Sequence, residues 1–160
     1  MDTSVSKSAN VEFETEIRSN TAALHTLVAA MIEAVPDIHC LRDPTRGGLA
    51  TTLNEIASQS RAGMRLDEAA IPVKADVHAA CELLGLDPLY IANEGKLVAV
   101  CAPEDAPRLL DAMRAHPLGG AAAIIGEVVA DSNAFVQMRT ALGGSRVVDW
   151  LAGEQLPRIC

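Results

Sequence analysis

The sequence has few of the residues that characterise a nucleic-acid-binding or a membrane-spanning protein. Aromatic residues make up only 2% of the 160-residue chain, so side chains on which bases could stack are nearly absent. The formal net charge of −8 leaves no surplus of basic residues to neutralise phosphates. No apolar run reaches the length of a membrane span, and no signal peptide opens the sequence. We therefore expect neither a nucleic-acid partner nor a membrane location.

The four cysteines lack the spacing of a zinc finger and form no C-x-x-C pair. Cys40, Cys81 and Cys101 lie among apolar residues, and we interpret them as small buried hydrophobes of a reduced, cytoplasmic protein. The four histidines are scattered without ligand spacing, so no metal site is predicted. Cys160 differs from the other cysteines because a terminal residue is seldom buried.

Hydrophobic residues make up 49% of the chain, and the length suits one domain with a core of Ala, Val, Leu and Ile. Apolar residues at helical spacing predict four helices, and six short strands are interspersed with them. Strands within 121–130 and 134–140 are separated by a turn and are expected to pair as a hairpin. The predicted fold class is α+β, a mixed sheet with helices packed on it.

The polar ends of the chain fall outside this predicted core. Residues 1–11 are expected to be a disordered leader, a linker or a cloning remnant. Residues 12–152 are predicted to form the folded domain. Residues 153–160 are predicted to be a flexible tail that carries the terminal cysteine.

The segment DPTRGGL, which begins at Asp43, is the first candidate for chemistry. Gly47 and Gly48 directly precede a predicted helix, where backbone N–H groups can converge on an anion. Arg46 offers a fork of donors suited to phosphate or carboxylate, and Asp43 could cap the helix or hold a metal. The segment is not a Walker loop, because its Lys-Ser/Thr pair is missing. The alternative is that these residues, with Thr45, form only a turn and a helix cap.

The segment NEGK, residues 93–96, is the second candidate. Glu94 lies on a predicted turn that enters a predicted buried strand, where a carboxylate can be held rigidly against a cleft and act as a general base. The alternative interpretation is an ordinary acidic residue on an exposed turn.

The closing segment PRIC is the third candidate. A thiol is nucleophilic only as a thiolate, and that form needs a base or a positive charge nearby. Arg158 is close in sequence, but the terminal α-carboxylate would raise the pKa of the Cys160 thiol. Cys160 is therefore expected to react only where the tail docks beside a base or a cation.

Four segments together carry a family resemblance: CLRDPTRGGLATTLNEIA, LYIANEGKLVAV, AAIIGEVV and the terminal PRIC. With them the chain, from about Glu12 to Cys160, resembles the C-terminal half of the HypE family of nickel–iron hydrogenase maturation factors, the carbamoyl dehydratases. The DPTRGG motif alone is shared more widely, in the superfamily of aminoimidazole ribonucleotide synthetase and selenophosphate synthetase. The resemblance implies a fold like the C-terminal domain of aminoimidazole ribonucleotide synthetase.

The resemblance also implies an activity and roles for particular residues. Cys160 would accept a carbamoyl group from the carbamoyltransferase HypF, and ATP would then drive its dehydration to a thiocyanate. The cyano group would pass to the iron held by the HypC–HypD complex. Glu94 would be the catalytic base, and Asp43, Thr45, Arg46, Gly47 and Gly48 would line the cleft near the phosphates or the docked tail.

The N-terminal half of the HypE family has no counterpart in this sequence. The resemblance places most ATP and Mg²⁺ contacts there, so this chain alone is expected to be inactive unless that half is supplied separately. Two alternatives stay open. The chain could be an ATP-dependent synthetase domain of the same superfamily with an incidental Cys160, or a non-catalytic docking module.

Overall fold

The computed structural model of this chain describes residues 21–150. Within that range the chain forms four α-helices, which we label α1 (His25–Ala34), α2 (Gly48–Ser60), α3 (Ala75–Leu84) and α4 (Ala106–Ala115). Six short strands alternate with them: β1 (Cys40–Arg42), β2 (Gly63–Asp67), β3 (Val98–Val100), β4 (Gly126–Val129), β5 (Val136–Arg139) and β6 (Ser145–Val147). Two short 3-10 helices, Glu68–Ala70 and Pro88–Tyr90, complete the described part.

The strands form two separate sheets. β1 and β3 make an antiparallel ribbon, and β4-β2-β5-β6 make a four-stranded sheet in that order. β2 is antiparallel to β4 and parallel to β5, so the larger sheet is mixed, as the sequence predicted.

The expected hairpin between the strands at 121–130 and 134–140 is wrong. β2 lies between them, and Met64 pairs with Val128 on one side and with Val136 on the other. The connection between β4 and β5 instead passes close over the start of β2. A Cβ on Gly63 would lie 2.7 Å from the Cβ of Asp131, so only glycine leaves room for this crossing. β2 takes the central position because its apolar side chains are buried.

Each sheet supports its own hydrophobic cluster. The larger cluster joins α2 to the four-stranded sheet, and its core residues are Ala50, Leu53, Ile56, Ala57, Met64, Leu66, Leu89, Val136, Met138 and Val148. The smaller cluster packs α1 and α4 on the ribbon through Leu27, Met31, Val35 and Leu109. The first helix starts at His25.

The buried strand predicted to follow the NEGK turn is shorter and less buried than expected. β3 spans only Val98–Val100, and its three residues are half-buried. Among residues 21–150 the ribbon consists of β1 and β3 alone, with helices α1 and α4 packed against it, so β3 is less covered than a strand inside a larger sheet. No helix in the described range, residues 21–150, is both long and apolar enough to cross a membrane.

Candidate functional site

The two internal candidate segments lie at the same end of the β1–β3 ribbon. The 43–48 loop leaves the end of β1, and the 93–97 segment enters the start of β3. Antiparallel pairing places Arg42 opposite Val98, so both loops emerge side by side. The backbone N–H of Asn93 donates to the carbonyl oxygen of Pro44 over 3.0 Å and joins them directly. The structure therefore brings together the two segments that the sequence analysis had selected separately.

The glycine pair shapes the first loop. Gly47 and Gly48 have φ angles of 69° and 64°, in the left-handed region that other residues rarely adopt. A Cβ on Gly48 would lie 2.5 Å from the carbonyl oxygen of Leu89 and 2.6 Å from that of Ile91. The start of α2 therefore packs directly on the 3-10 segment that leads to Asn93.

The N-terminus of α2 is suited to an anion. Gly47 is the N-cap residue and makes no side-chain cap hydrogen bond, and the first turn contains no acidic residue. The first N–H groups of a helix have no partner within the helix and carry a partial positive charge. The exposed Arg46 and the half-buried Thr45 precede them, while Asp43 is exposed. This combination of donors fits a phosphate or a carboxylate.

Thr51 adds a polar group that the sequence analysis missed. Its Oγ1 is buried and has no hydrogen-bond partner among residues 21–150. A Cβ on Gly47 would lie 2.1 Å from this oxygen, so the hydroxyl lies directly against the glycine loop. Buried hydroxyl groups are normally hydrogen-bonded, which makes Thr51 a further candidate for contact with a bound group. The sequence signal that could have indicated this polar group is the pair of adjacent threonines, Thr51 and Thr52, one turn into the helix.

Glu94 lies on the second loop, between Asn93 and Gly95, and is exposed. Its neighbours fix the backbone around it. The Asn93 side-chain amide donates to the carbonyl oxygen of Ile91 at 2.8 Å, and the Lys96 ammonium donates to the Asn93 Oδ1 at 2.7 Å. Much of Lys96 is exposed, but its ammonium has lost part of its hydration, which lowers its pKa, and nearby Lys74 lowers it further. A carboxylate is thus presented on a braced turn.

Of the three other cysteines, only Cys81 is buried as predicted, and Cys40 and Cys101 are more exposed than expected. Cys81 is buried, Cys40 and Cys101 are half-buried, and all three are free thiols. Burial raises the pKa of Cys81 and of Cys101, and nearby acidic residues raise both further. Elevated pKa values keep these two groups as unreactive thiols near neutral pH. Cys160, the predicted acceptor, lies outside the described residues, as do residues 1–11 and 153–160.

Within residues 21–150, no group of three or more His, Cys, Asp and Glu side chains converges to hold a metal ion. Clustered carboxylates of the kind that Mg²⁺ generally uses are therefore not found among these residues.

Residues 3–139 match the family model described as the C-terminal domain of AIR synthase related proteins. The chain is 70% identical over 156 residues to the carbamoyl dehydratase HypE of Cupriavidus necator, covering 98% of this chain and 44% of that relative. It thus spans about half the length of the relatives that it matches.

Solved structures of HypE share the fold. A HypE structure in complex with ATP superposes with a TM-score of 0.89 at 47% identity, covering 98% of this chain and 48% of that one. A HypE–HypF complex superposes with a TM-score of 0.85 at 40% identity, covering 91% and 47%. The expected resemblance and the α+β fold class are thereby confirmed. The chain belongs to the family of AIR synthase related C-terminal domains and is similar in sequence and fold to the HypE carbamoyl dehydratases.

Proposed function

We propose that this chain is the C-terminal domain of a cytoplasmic carbamoyl dehydratase that prepares the cyanide ligand of nickel–iron hydrogenase. The observation that carries the proposal is the hydrogen bond between Asn93 and Pro44, which joins the 43–48 loop to the loop that bears the Glu94 carboxylate. We call the 43–48 loop the anion-binding loop, after its proposed role. Dehydration of an amide needs both functions in one place. The names of the relatives, carbamoyl dehydratase HypE, support the same reaction.

The first step transfers a carbamoyl group from HypF to Cys160. The thiol sulfur bonds to the carbamoyl carbon, the bond from that carbon to its carrier group on HypF breaks, and the carrier leaves with the bonding electrons. The thiol loses its proton in the same step, which gives an S-carbamoyl group. A relative solved as a HypE–HypF complex supports HypF as the partner. A terminal residue suits this task, because Cys160 can take up the carbamoyl group at a site on HypF and carry it to the site on its own protein. The carbamoyl group stays covalently bound throughout.

The second step converts the S-carbamoyl group into a thiocyanate. The amide oxygen is a poor leaving group until ATP phosphorylates it; ADP is then the first product. Loss of the two N–H protons and departure of phosphate leave a carbon–nitrogen triple bond on the Cys160 sulfur. The proposed base for the N–H protons is Glu94, which lies on the braced turn. The bond between the Cys160 sulfur and the cyano carbon then breaks with two electrons supplied from the HypC–HypD side, so that Cys160 is regained as a thiolate and cyanide binds the iron held there.

The anion-binding loop is proposed to act on the phosphate. The first N–H groups of α2, with Arg46, would stabilise the negative charge that builds up as phosphate leaves. Asp43 and Thr45 lie on the same loop and would complete the wall of the cleft. The residues present fit a phosphate group of ATP, whereas Mg²⁺ and most nucleotide contacts are assigned to an N-terminal half like that of the longer relatives.

Mass spectrometry tests the first step. The chain is incubated with HypF, carbamoyl phosphate and ATP, and Cys160→Ser is the matched control. We expect one carbamoyl group on the C-terminal peptide of the parent chain and none on the variant. Modification of Cys40 or Cys101 in place of Cys160 would contradict the proposal, and so would equal modification of both proteins.

Addition of the N-terminal half tests the second step. The carbamoylated chain should lose one water, detected as a mass decrease on the same peptide, only when that half and ATP are both present. The chain alone should hydrolyse no ATP above background. An ATPase rate in the chain alone would show that the nucleotide machinery does not depend on the N-terminal half.

A further inference from the structure

The last described residues of the chain are held by the body of the domain. Val148 is fully buried, and its N–H donates to the carbonyl oxygen of Val136 at 2.8 Å. The side-chain amide of Asn54, itself buried, donates to the carbonyl oxygens of both Val148 and Ala50 at 2.9 Å. The backbone at Val148 is therefore tied to β5 on one side and to α2 on the other.

Tyr90 holds the next residue. Its hydroxyl donates to the backbone carbonyl oxygen of Asp149 at 3.0 Å. Arg146, three residues before Asp149, pairs at 2.6 Å with Asp87, the N-cap residue of the 3-10 helix Pro88–Tyr90. This 3-10 helix and its cap are therefore joined to residues 146–149 by two separate contacts. Burial raises the pKa of Tyr90, and nearby Asp87 raises it further, so the phenol stays protonated as a donor at physiological pH.

The elements that hold this segment also build the candidate site. Asn54 lies on α2, which begins at Gly48 in the anion-binding loop. Tyr90 lies between Leu89 and Ile91, whose carbonyl oxygens contact the Gly48 position, and the chain then continues to Asn93 and Glu94. The position of residues 148–150 is therefore fixed relative to both candidate loops.

We propose that Tyr90 is a positioning residue that sets where residues 151–160 begin, and thereby how often Cys160 reaches the candidate site. The inference rests on the proposed function. Ten residues can reach at most about 33 Å from the point where they begin, because that is the length of ten fully extended residues. Over such lengths a tethered group has an effective concentration in the millimolar range, which depends steeply on where the tether starts.

The test uses Tyr90→Phe in the chain combined with the N-terminal half, and Ser60→Ala is the control that removes a hydroxyl elsewhere. Among residues 21–150, the Ser60 hydroxyl donates only to carbonyl oxygens of its own helix, at 2.7 Å to Ile56 and 3.3 Å to Ala57. Hydrogen exchange of the amides at 148–150 should accelerate in Tyr90→Phe and stay unchanged in Ser60→Ala. Single-turnover dehydration on the protein's own Cys160 should slow about two- to tenfold, the range expected from loss of one hydrogen bond.

A peptide of residues 150–160, carbamoylated on Cys160, separates positioning from direct contact. It is supplied to protein truncated after Trp150, with and without Tyr90→Phe, and the two rates should be equal. An equal loss with the peptide would overturn the proposal, because Tyr90 would then act on the reacting group. An unchanged rate on the tethered cysteine, despite faster exchange, would overturn it as well.

The two proposals fail in different ways. Absence of dehydration in the parent protein would overturn the proposed function, and the proposed effect of Tyr90 on dehydration would fall with it. The exchange measurement would still decide whether Tyr90 fixes the backbone at 148–150, since it requires no activity.

Discussion

Asn93 and Pro44, 49 positions apart in the sequence, are joined by a backbone hydrogen bond of 3.0 Å. This bond closes the end of the β1–β3 ribbon and places the DPTRGG loop beside the NEGK loop. Because the N–H and carbonyl groups belong to the backbone, the contact does not depend on either side chain. The relative position of the two loops is thus a property of the ribbon register.

Gly48→Ala should destabilise the domain strongly. The new Cβ would lie 2.5 Å from one backbone oxygen and 2.6 Å from another, and the φ of 64° adds strain. We expect the free energy of unfolding to fall by about 2–4 kcal/mol, measured by urea denaturation. Gly85→Ala is the matched control, because Gly85 has a φ of 66° and no heavy atom within 4 Å of the added Cβ. The control should cost about 1 kcal/mol. Equal losses would contradict the close packing of Gly48.

Glu94→Gln should separate the two proposed steps. Glutamine keeps the size of the side chain but cannot take up a proton as a base. Carbamoylation of Cys160 should proceed at the parent rate, while dehydration with the N-terminal half present should fall about 100-fold or more. Both are followed by mass spectrometry, with Glu104→Gln, another exposed acidic residue, as control. Normal dehydration by the Glu94→Gln variant would exclude Glu94 as the base. It would favour the alternative in which this chain only carries the carbamoylated Cys160.

The Arg42–Glu55 ion pair, which joins β1 to α2, should contribute little to stability. Both side chains are more than one third exposed, at 39% and 35%. A double-mutant cycle with Arg42→Met and Glu55→Gln should give a coupling free energy of about 1 kcal/mol or less. The coupling should decrease between 0.05 and about 1 M salt, because screening weakens exposed pairs. A large, salt-independent coupling would show that the pair is shielded from solvent.

Asp67 should contribute to the loss of stability in acid. The hydrogen bond from Arg139 lowers the pKa of this carboxyl below 3.8, with a further contribution from the N–H of Ala69 and partial opposition from burial. A lowered pKa in the folded state means that ionised Asp67 favours folding above pH 3.8. That contribution disappears as the pH falls through the lowered pKa.

Urea denaturation between pH 6 and about 2 tests this dependence. Asp67→Asn should be less stable than the parent near pH 6, and the difference should narrow as the pH falls. Asp111→Asn, on the exposed side of α4, serves as control and should follow the parent curve. A constant difference between Asp67→Asn and the parent at every pH would contradict the assignment.

Much of the fold followed from local sequence patterns. The third of the four predicted helices lies at Ala75–Leu84, and its apolar spacing ends at Gly85, which adopts a left-handed φ as the cap. Strand pairing was predicted less well. The segments around Val128 and Val136 have the alternation of neighbouring strands, and nothing local indicates that Met64, some 60 residues earlier, inserts between them.

The candidate site shows the same division. The residue types at Arg46, Gly47, Gly48 and Glu94 determined by themselves which chemistry is available: donors for an anion, a flexible backbone and a carboxylate. Only the tertiary structure decided that they share one end of a ribbon, and that Tyr90 and Asn54 hold the chain just before its tail. The reason is physical. Side-chain chemistry and helical periodicity are local, whereas strand register and long-range hydrogen bonds form only when distant segments bury their apolar faces together.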